Sequence, residues 1–237
     1  MAITPQIPFD FFLPEAPRFD NFVVGDNSEA VARLRALVEV TAKVPGGAGA
    51  TSHPSTVVLW GARSVGKSHL LAATATGSAD AALLLNAASA FPADPFITTR
   101  MLCVDNADQL NGDQQAWLFT AFNHVAQAGG VTIATGQAPP GRWPLRDDIR
   151  TRMGSGLAFE LLPIPQDELS AALSAYALAR GFDVSQEVLT FLLSHHRRDV
   201  ASLCQTLAGA DRLSLALKRR VTVPVLRSYM NEAGETQ

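Results

Sequence analysis

An eight-residue run at positions 61–68 limits the fold of this chain more than any other part of the sequence. It reads GARSVGKS and matches the pattern G-x-x-x-x-G-K-S without a gap. In such a run the glycines let the backbone curl around an anion, the lysine reaches the outer phosphates, and the serine hydroxyl suits Mg²⁺. We therefore predict a phosphate-binding loop for ADP or ATP with Mg²⁺. The candidate nucleotide-binding residues are Gly61, Ala62, Arg63, Ser64, Val65, Gly66, Lys67 and Ser68, together with Val23, Val24 and His69 outside the run.

The segments around the run predict the setting that such a loop needs. A β-branched apolar stretch precedes it, and residues 68–73 predict a helix whose N-terminus offers partial positive charge to an anion. Residues 82–85 and 100–105 predict two strands that are continuously apolar, as parallel strands covered on both faces should be. Further strands are predicted over residues 56–60, 131–135 and 157–161. The fold class is therefore α/β, with a parallel sheet behind a phosphate-binding loop.

The pattern changes after residue 162, where strands give way to helices. Helical periodicity and caps predict helices at about 166–180, 185–195, 199–217 and 224–232. A helix is also expected from about residue 26 to 44, with Asp26 as its cap and Glu29 as the capping-box partner. The predicted domains are an extended segment 1–18, an α/β nucleotide-binding domain 19–162 and a small all-helical lid domain 163–237.

Three polar positions near the predicted strand ends are considered for roles at the nucleotide phosphates: binding the metal ion, activating water or contacting a phosphate. Asp105 closes the third strand, where a carboxylate can orient Mg²⁺, so Ser68 and Asp105 are the candidate metal residues. The next residue is Asn106, and an amide cannot take a proton from an attacking water. Gln137, in the turn after the fourth strand, either contacts a phosphate or water or is a simple turn residue. Slow or absent intrinsic hydrolysis is the expectation.

A charged run from 146 to 152 has two interpretations. Such a run is usually a solvated helix face. A guanidinium at the edge of a nucleotide-binding domain can instead enter a neighbouring subunit's site and stabilise phosphoryl transfer there. By position, Arg152 and Arg150 are the candidates.

The first residues combine apolar side chains with prolines, which disfavour both helix and central strand. One interpretation is a tail that folds back onto its own core. The other is a linear motif that places Phe9 and Phe11 in a groove of another protein, with the Gln6 amide fixing the register.

Charge and hydropathy exclude several classes of function. The formal net charge of −3 lacks the excess of Lys and Arg expected of a domain that binds duplex DNA by itself. No apolar run reaches the length of a membrane span, and the N-terminus has no signal-peptide pattern, so a cytoplasmic protein is expected. The two cysteines lie in apolar segments and predict neither a disulfide nor a metal site.

Taken together, these features resemble the AAA+ module of the DnaA-related family, and most closely its short Hda members. The likeness rests on the phosphate-binding loop, Asp105-Asn106, the turn 135–140 (TGQAPP), the run 150–157 (RTRMGSGL) and the helical lid. The opening run 6–11 (QIPFDF) is similar to the sliding-clamp-binding hexapeptide of Hda proteins. It therefore assigns Gln6, Phe9 and Phe11 to binding the β subunit of the DNA polymerase clamp.

The resemblance implies a regulator of chromosome replication. It implies a nucleotide-bound protein, docked on the DNA-loaded clamp, that promotes hydrolysis of ATP held by DnaA, with Arg152 as an arginine finger acting in trans. Two positions depart from the family pattern: Ala201 stands where an arginine of the lid is usual, and Gln137 stands where an aspartate is usual. Either Arg197 or Arg198, a helical turn earlier, takes the place of that arginine, or the phosphates are held less tightly. These two departures affect which nucleotide the site holds and how tightly it binds.

Three other functions stay open at this point. The chain could be a self-sufficient AAA+ loader or remodeller that hydrolyses its own ATP, which Asn106 and Ala201 disfavour. It could be a small-molecule kinase, for which no second substrate motif is present. It could also be a non-catalytic, nucleotide-dependent clamp adaptor. No sequence-specific DNA binding of its own is expected, and a homo-oligomer is one option.

Overall fold

The computed structural model describes residues 16–43, 55–78, 81–196 and 199–232. They fall into two compact units, one spanning residues 16–163 and one that takes in the chain from residue 164 onwards. The first unit is α/β and the second is helical. The predicted fold class is confirmed.

A five-stranded, all-parallel sheet forms the centre of the α/β unit. Its strands are β1 (Thr56–Trp60), β2 (Ala82–Asn86), β3 (Met101–Asp105), β4 (Val131–Gly136) and β5 (Leu157–Glu160). They lie in the order β2-β3-β4-β1-β5, so the strand that leads into the phosphate-binding loop is flanked by β4 and β5. The helices of this unit are α1 (Ser28–Lys43), α2 (Lys67–Gly77), α3 (Gly112–Gln127) and α4 (Asp147–Gly154).

Helices cover both faces of the sheet because the strand residues alternate between them. In β1, Val57 and Leu59 pack with α1 and α2 on one face, and Val58 packs with α3 and α4 on the other. All three side chains are fully buried. This two-sided burial is the arrangement that continuous apolar runs predict for parallel strands.

The prediction of two-sided burial is wrong for β2. It lies at the edge of the sheet and pairs with β3 alone. The side chain of Leu84 is 45% exposed, whereas every residue of β3 is buried. Three consecutive leucines therefore do not distinguish an edge strand from a central one, because the strand order depends on contacts distant in sequence.

The start of α1 also differs from the prediction. The helix begins at Ser28, and Asp26 lies inside a 3₁₀ turn, Gly25–Asn27. Asn27 is buried, and its side-chain amide makes a pair of hydrogen bonds with Leu162: Nδ2 donates to the backbone oxygen at 3.1 Å, and Oδ1 accepts from the backbone N–H at 2.7 Å. Asn27 therefore ties the start of α1 to the chain that follows β5.

The helical unit contains α5 (Gln166–Ala179), α6 (Gln186–His195), α7 (Val200–Ala216) and α8 (Val223–Glu232). Two of these helices have side-chain caps: Ser185 accepts from the N–H of Val188 at the start of α6, and Asp199 accepts from that of Ser202 at the start of α7. The unit has an aliphatic core of its own, which includes Leu173, Leu189, Leu192, Leu203, Leu207 and Leu226.

Candidate nucleotide-binding site

The phosphate-binding loop joins β1 to α2, and two of its glycines are required by its geometry. Gly61 has φ +147°, and a Cβ there would come within 2.5 Å of the backbone oxygen of Leu161. Gly66 has φ +93° and precedes α2, and a Cβ there would come within 2.6 Å of the Phe22 ring. The predicted strand–loop–helix setting is present, and the loop presents the N-terminus of an 11-residue helix to an anion.

Lys67 is the cation of this site. Its side chain is buried, and Nζ donates to the backbone oxygens of Gly61 at 2.9 Å and Ala62 at 2.6 Å. Burial lowers the pKa of Lys67, while the carboxylates of Asp105 and Asp108 act in the opposite direction. Both carboxylates therefore favour the charged form of this ammonium group on the predicted phosphate-binding loop.

Four side chains donate hydrogen bonds to the Asp105 carboxylate. Oδ1 accepts from Ser68 at 3.0 Å and Thr135 at 2.6 Å, and Oδ2 accepts from Asn86 at 3.1 Å and Asn106 at 3.3 Å. Asp105 is buried at the end of β3, between the ends of β2 and β4. The two candidate metal residues are thus in direct contact, and a serine hydroxyl beside a carboxylate is a donor set that fits Mg²⁺.

Asn106 occupies a left-handed backbone conformation, with φ +54°. Its backbone N–H donates to Thr135 Oγ1 at 2.9 Å, and its side-chain amide donates to Asp105. Asn is one of the few residues other than glycine that adopts this conformation readily. Asn106 therefore supports Asp105, and its amide provides no base for a water molecule.

Gln137 is held through its backbone. Its N–H donates to Asp108 Oδ2 at 2.8 Å. Asp108 lies in the 3₁₀ turn Ala107–Gln109, which follows β3. Its other oxygen, Oδ1, is buried and has no hydrogen-bond partner among the described residues.

Sequence reasoning did not assign Asn86, Thr135 or Asp108 to this site. The sequence does show that Asn86 and Thr135 are polar residues at the carboxyl ends of β2 and β4, where ligands bind in folds of this type. Assigning them to the site also requires the strand order, which places both strands next to β3.

The remaining nucleotide-binding candidates lie on the same face of the sheet as α2. The His69 ring lies 5.6 Å from the Phe22 ring, and His69 Nε2 donates to the backbone oxygen of Arg18 at 2.9 Å. Val23 and Val24 follow Phe22, and Val24 packs against the core beneath α1 and α2. The segment before α1 thus packs beside the phosphate-binding loop.

Arg152 projects from α4 onto α3. Its Nη1 donates to Asn123 Oδ1 at 2.6 Å, and its guanidinium carbon lies 4.9 Å from the ring centre of Phe119 and 5.1 Å from that of Phe122. These contacts fix the direction of a half-buried guanidinium. Arg150, the second candidate, bonds Asp147 and the backbone oxygen of Leu145.

Several predicted positions lie outside the described residues. These are the clamp-binding residues Gln6, Phe9 and Phe11, the lid residues Arg197 and Arg198, and the side chain of Ala201. Within the described ranges no group of three or more His, Cys, Asp or Glu side chains could hold a metal ion. No helix in those ranges has both the length and the apolarity of a membrane span.

Comparison with known proteins finds a family model that matches part of the chain and solved structures that share its fold. Residues 166–230 match the family model described as "Hda, lid domain". Domain III of DnaA from Thermotoga maritima is similar over 91% of this chain and 96% of its own, with a TM-score of 0.69 and 19% identity. DnaA from Aquifex aeolicus bound to AMPPCP matches 84% of this chain and 67% of its own, with a TM-score of 0.64 and 17% identity. A RuvB variant from Thermotoga maritima matches 91% and 72%, with a TM-score of 0.65 and 15% identity.

Proposed function

We propose, from the premise that this chain is a DnaA-related AAA+ protein with an Hda-type lid domain, that it turns off replication initiation by activating ATP hydrolysis on DnaA. In this function the chain binds ADP or ATP and docks on the sliding clamp through Gln6, Phe9 and Phe11. It then presents Arg152 to the ATP held by DnaA. A cytoplasmic protein that binds the clamp on chromosomal DNA would have access to both partners, the clamp and DnaA.

The observation that carries the proposal is a complete nucleotide loop beside a position, Asn106, whose amide cannot act as a base. The loop glycines, Lys67 and Ser68 have the form needed to hold phosphates. Asn106 stands after Asp105, and its amide is hydrogen-bonded to that carboxylate. Such a site suits holding a nucleotide better than hydrolysing it, so the hydrolysis that matters takes place in a partner.

The nucleotide and its metal ion have clear candidate ligands in this chain. The N–H groups of the loop and Lys67 would bind the phosphates, and the hydroxyl of Ser68 would contact Mg²⁺, with Asp105 orienting that hydroxyl. When bound, Mg²⁺ supplies positive charge that offsets the phosphates. Asn86 and Thr135 keep the Asp105 carboxylate in place from the neighbouring strands.

Arg152 has the chemistry of an arginine finger. A guanidinium carries five N–H donors, and the bond to Asn123 uses one of them, so others remain for phosphate oxygens. Rings of Phe119 and Phe122 support it, which reduces the entropy lost when it enters a partner's site. A finger supplied in trans is worth about 10³ to 10⁵ in the rate of hydrolysis.

The test is hydrolysis of ATP bound to DnaA, measured with clamp loaded on DNA and with this protein added. Stimulation that depends on both the clamp and this protein supports the proposal. Clamp binding without stimulation would instead favour the non-catalytic adaptor. Rapid ATP turnover by this chain without DnaA would favour the self-sufficient loader or remodeller.

A further inference from the structure

The sheet has a second edge at β5, which pairs with β1 and with no other strand of the described residues. Successive residues of a strand turn their backbone N–H and C=O groups to opposite sides. Directly after β5, the N–H of Leu161 donates to the backbone oxygen of Trp60 at 2.7 Å, so the odd-numbered residues here bond to β1. The N–H and C=O groups of Ala158 and Glu160 therefore face away from β1, and none of them has a backbone partner among the described residues.

A groove of about 680 Å³ lies beside this edge, between β5 and α1. Leu157, Ala32 and Ala36 line it and are exposed. Phe159 also lines it and packs against the core beneath α1. Arg33 is a further lining residue, and its Nε is buried with no hydrogen-bond partner among the described residues. A buried donor without an acceptor is costly, so the groove suits an apolar occupant that brings an oxygen atom to Arg33.

A segment of this chain that precedes the described residues has the pattern that such an edge needs. Residues 7–13 read IPFDFFL, with an apolar side chain at every odd position. Pro8 and Pro14 both stand at even positions. Proline has no N–H, so on an edge strand it belongs where the N–H would face solvent. Glu15 continues the odd series and carries a carboxylate.

We propose that the β5 edge and its groove bind residues 7–13 of the same chain as a sixth strand, parallel to β5. In a parallel neighbour, the residues that bond to β5 turn their side chains to the same face as Leu157 and Phe159, which is the α1 face. The odd-numbered residues therefore bond to β5 and fill the groove, while Pro8 turns its nitrogen to solvent. If the same side chains filled the groove from an antiparallel strand, Pro8 would have to bond to β5.

The direction of the chain agrees with a parallel strand. Such a strand ends at the carboxyl edge of the sheet, and there the backbone oxygen of Arg18 accepts a 2.9 Å hydrogen bond from His69, in the first turn of α2. Asn27 ties the start of α1 to the chain that follows β5, so Arg33 lies within about two turns of that same edge. Glu15 follows the strand at this end, on the α1 face, and its carboxylate is the acceptor for Arg33.

Docking on β5 and docking on the sliding clamp exclude each other, because both use Phe9 and Phe11. The segment is withheld from the clamp while it lies on β5, and the clamp binds only the undocked fraction. The docking on β5 is independent of the proposed function, and only this competition rests on it.

The test is hydrogen exchange of the Ala158 and Glu160 N–H groups, followed by NMR in D₂O on the full chain. We expect exchange in the wild type to be slower than in Leu13→Asp by about tenfold or more, because that variant places a charge on the apolar side of the segment. Phe12→Asp is the matched control and should keep the slow exchange. Position 12 is even, so its side chain lies on the opposite face, where Ala158 and Glu160 are exposed.

The same two variants test the competition, because positions 12 and 13 lie outside the hexapeptide 6–11. Leu13→Asp should bind the clamp more tightly than the wild type by the factor that it loses in protection, and Phe12→Asp should bind as the wild type does. Ala32→Arg, which narrows the groove from α1, should lose protection as Leu13→Asp does.

Each other result has a definite meaning. Wild-type amides that exchange as fast as those of Leu13→Asp overturn the docking and leave the proposed function intact. Equal loss of protection in Phe12→Asp overturns the parallel arrangement. Protected amides in a chain that does not bind the clamp support the docking on β5 and overturn the clamp docking of the proposed function.

Discussion

The Ser68 hydroxyl donates a 3.0 Å hydrogen bond to Asp105 Oδ1, which joins the phosphate-binding loop to β3 across 37 positions of sequence. The same oxygen accepts the Thr135 hydroxyl at 2.6 Å. Loop, central strand and neighbouring strand therefore meet at one carboxylate. A change at this point is expected to affect metal-dependent binding of nucleotide before it affects the fold.

We predict that Ser68→Ala reduces the Mg²⁺-dependent part of the affinity for ADP by about tenfold, because a hydroxyl ligand of a hard cation is lost. Titration of ADP with Mg²⁺ and again with EDTA measures that part. Thr120→Ala, which truncates an exposed hydroxyl on α3, is the control and should bind as the wild type does. Equal loss of affinity with and without Mg²⁺ would count against a metal role for Ser68.

We predict that Gly66→Ala impairs both folding stability and binding of ADP. A side chain at φ +93° is strained, and the new Cβ would meet the Phe22 ring, so a loss of about 1–3 kcal/mol is expected. Gly141→Ala is the control, because nothing lies within 4 Å of a Cβ there. Adding Phe22→Leu should recover only part of the loss, since the backbone strain stays; full recovery would mean that the ring contact alone requires the glycine.

We predict that Asn27→Ala lowers the free energy of unfolding of the α/β unit by about 1–2 kcal/mol, because both hydrogen bonds to Leu162 are lost. Urea unfolding followed by circular dichroism measures the change. Asp26→Ala should change stability by less than about 0.5 kcal/mol, because Asp26 is exposed and does not begin α1. A larger effect at Asp26 than at Asn27 would support the capping box expected from sequence.

We predict that Arg152→Ala abolishes stimulation of DnaA-bound ATP hydrolysis, a loss of about 10³-fold or more, and leaves binding of ADP and clamp unchanged. Arg142→Ala, at an exposed arginine of the same unit, is the control. Full activity of Arg152→Ala would mean that the arginine finger is Arg150 or that this chain supplies none.

Asn123→Ala should give a smaller loss than Arg152→Ala, because it removes only the bond that orients the guanidinium. The double variant should be no less active than Arg152→Ala alone, since both changes act through one group. Additive losses would show that Asn123 acts independently of Arg152.

We predict that combined replacement of Gln6, Phe9 and Phe11 by Ala abolishes binding to the sliding clamp. Affinity measured by surface plasmon resonance on immobilised clamp is the readout, and binding of ADP is the control for an intact nucleotide site. Clamp affinity equal to that of the wild type would refute the linear motif. The other interpretation, a tail that folds back onto its own core, would then be favoured.

Sequence alone predicted the fold class, the strand–loop–helix setting of residues 61–68 and all five strands, because each depends on local spacing or on a mostly apolar run. It also led to the Hda and DnaA resemblance, which the lid match and the DnaA-like fold confirm. The clamp-binding segment and the arginine finger stay predictions.

Only the tertiary structure decided which distant side chains meet. The strand order places β2 at the edge, where Leu84 is exposed, yet brings Asn86 to Asp105. The contact of Asp108 with Gln137 and that of Arg152 with Asn123 each join residues 29 positions apart. A local pattern determines how a segment is built, but hydrogen bonds between segments require the packing of the whole sheet and its helices.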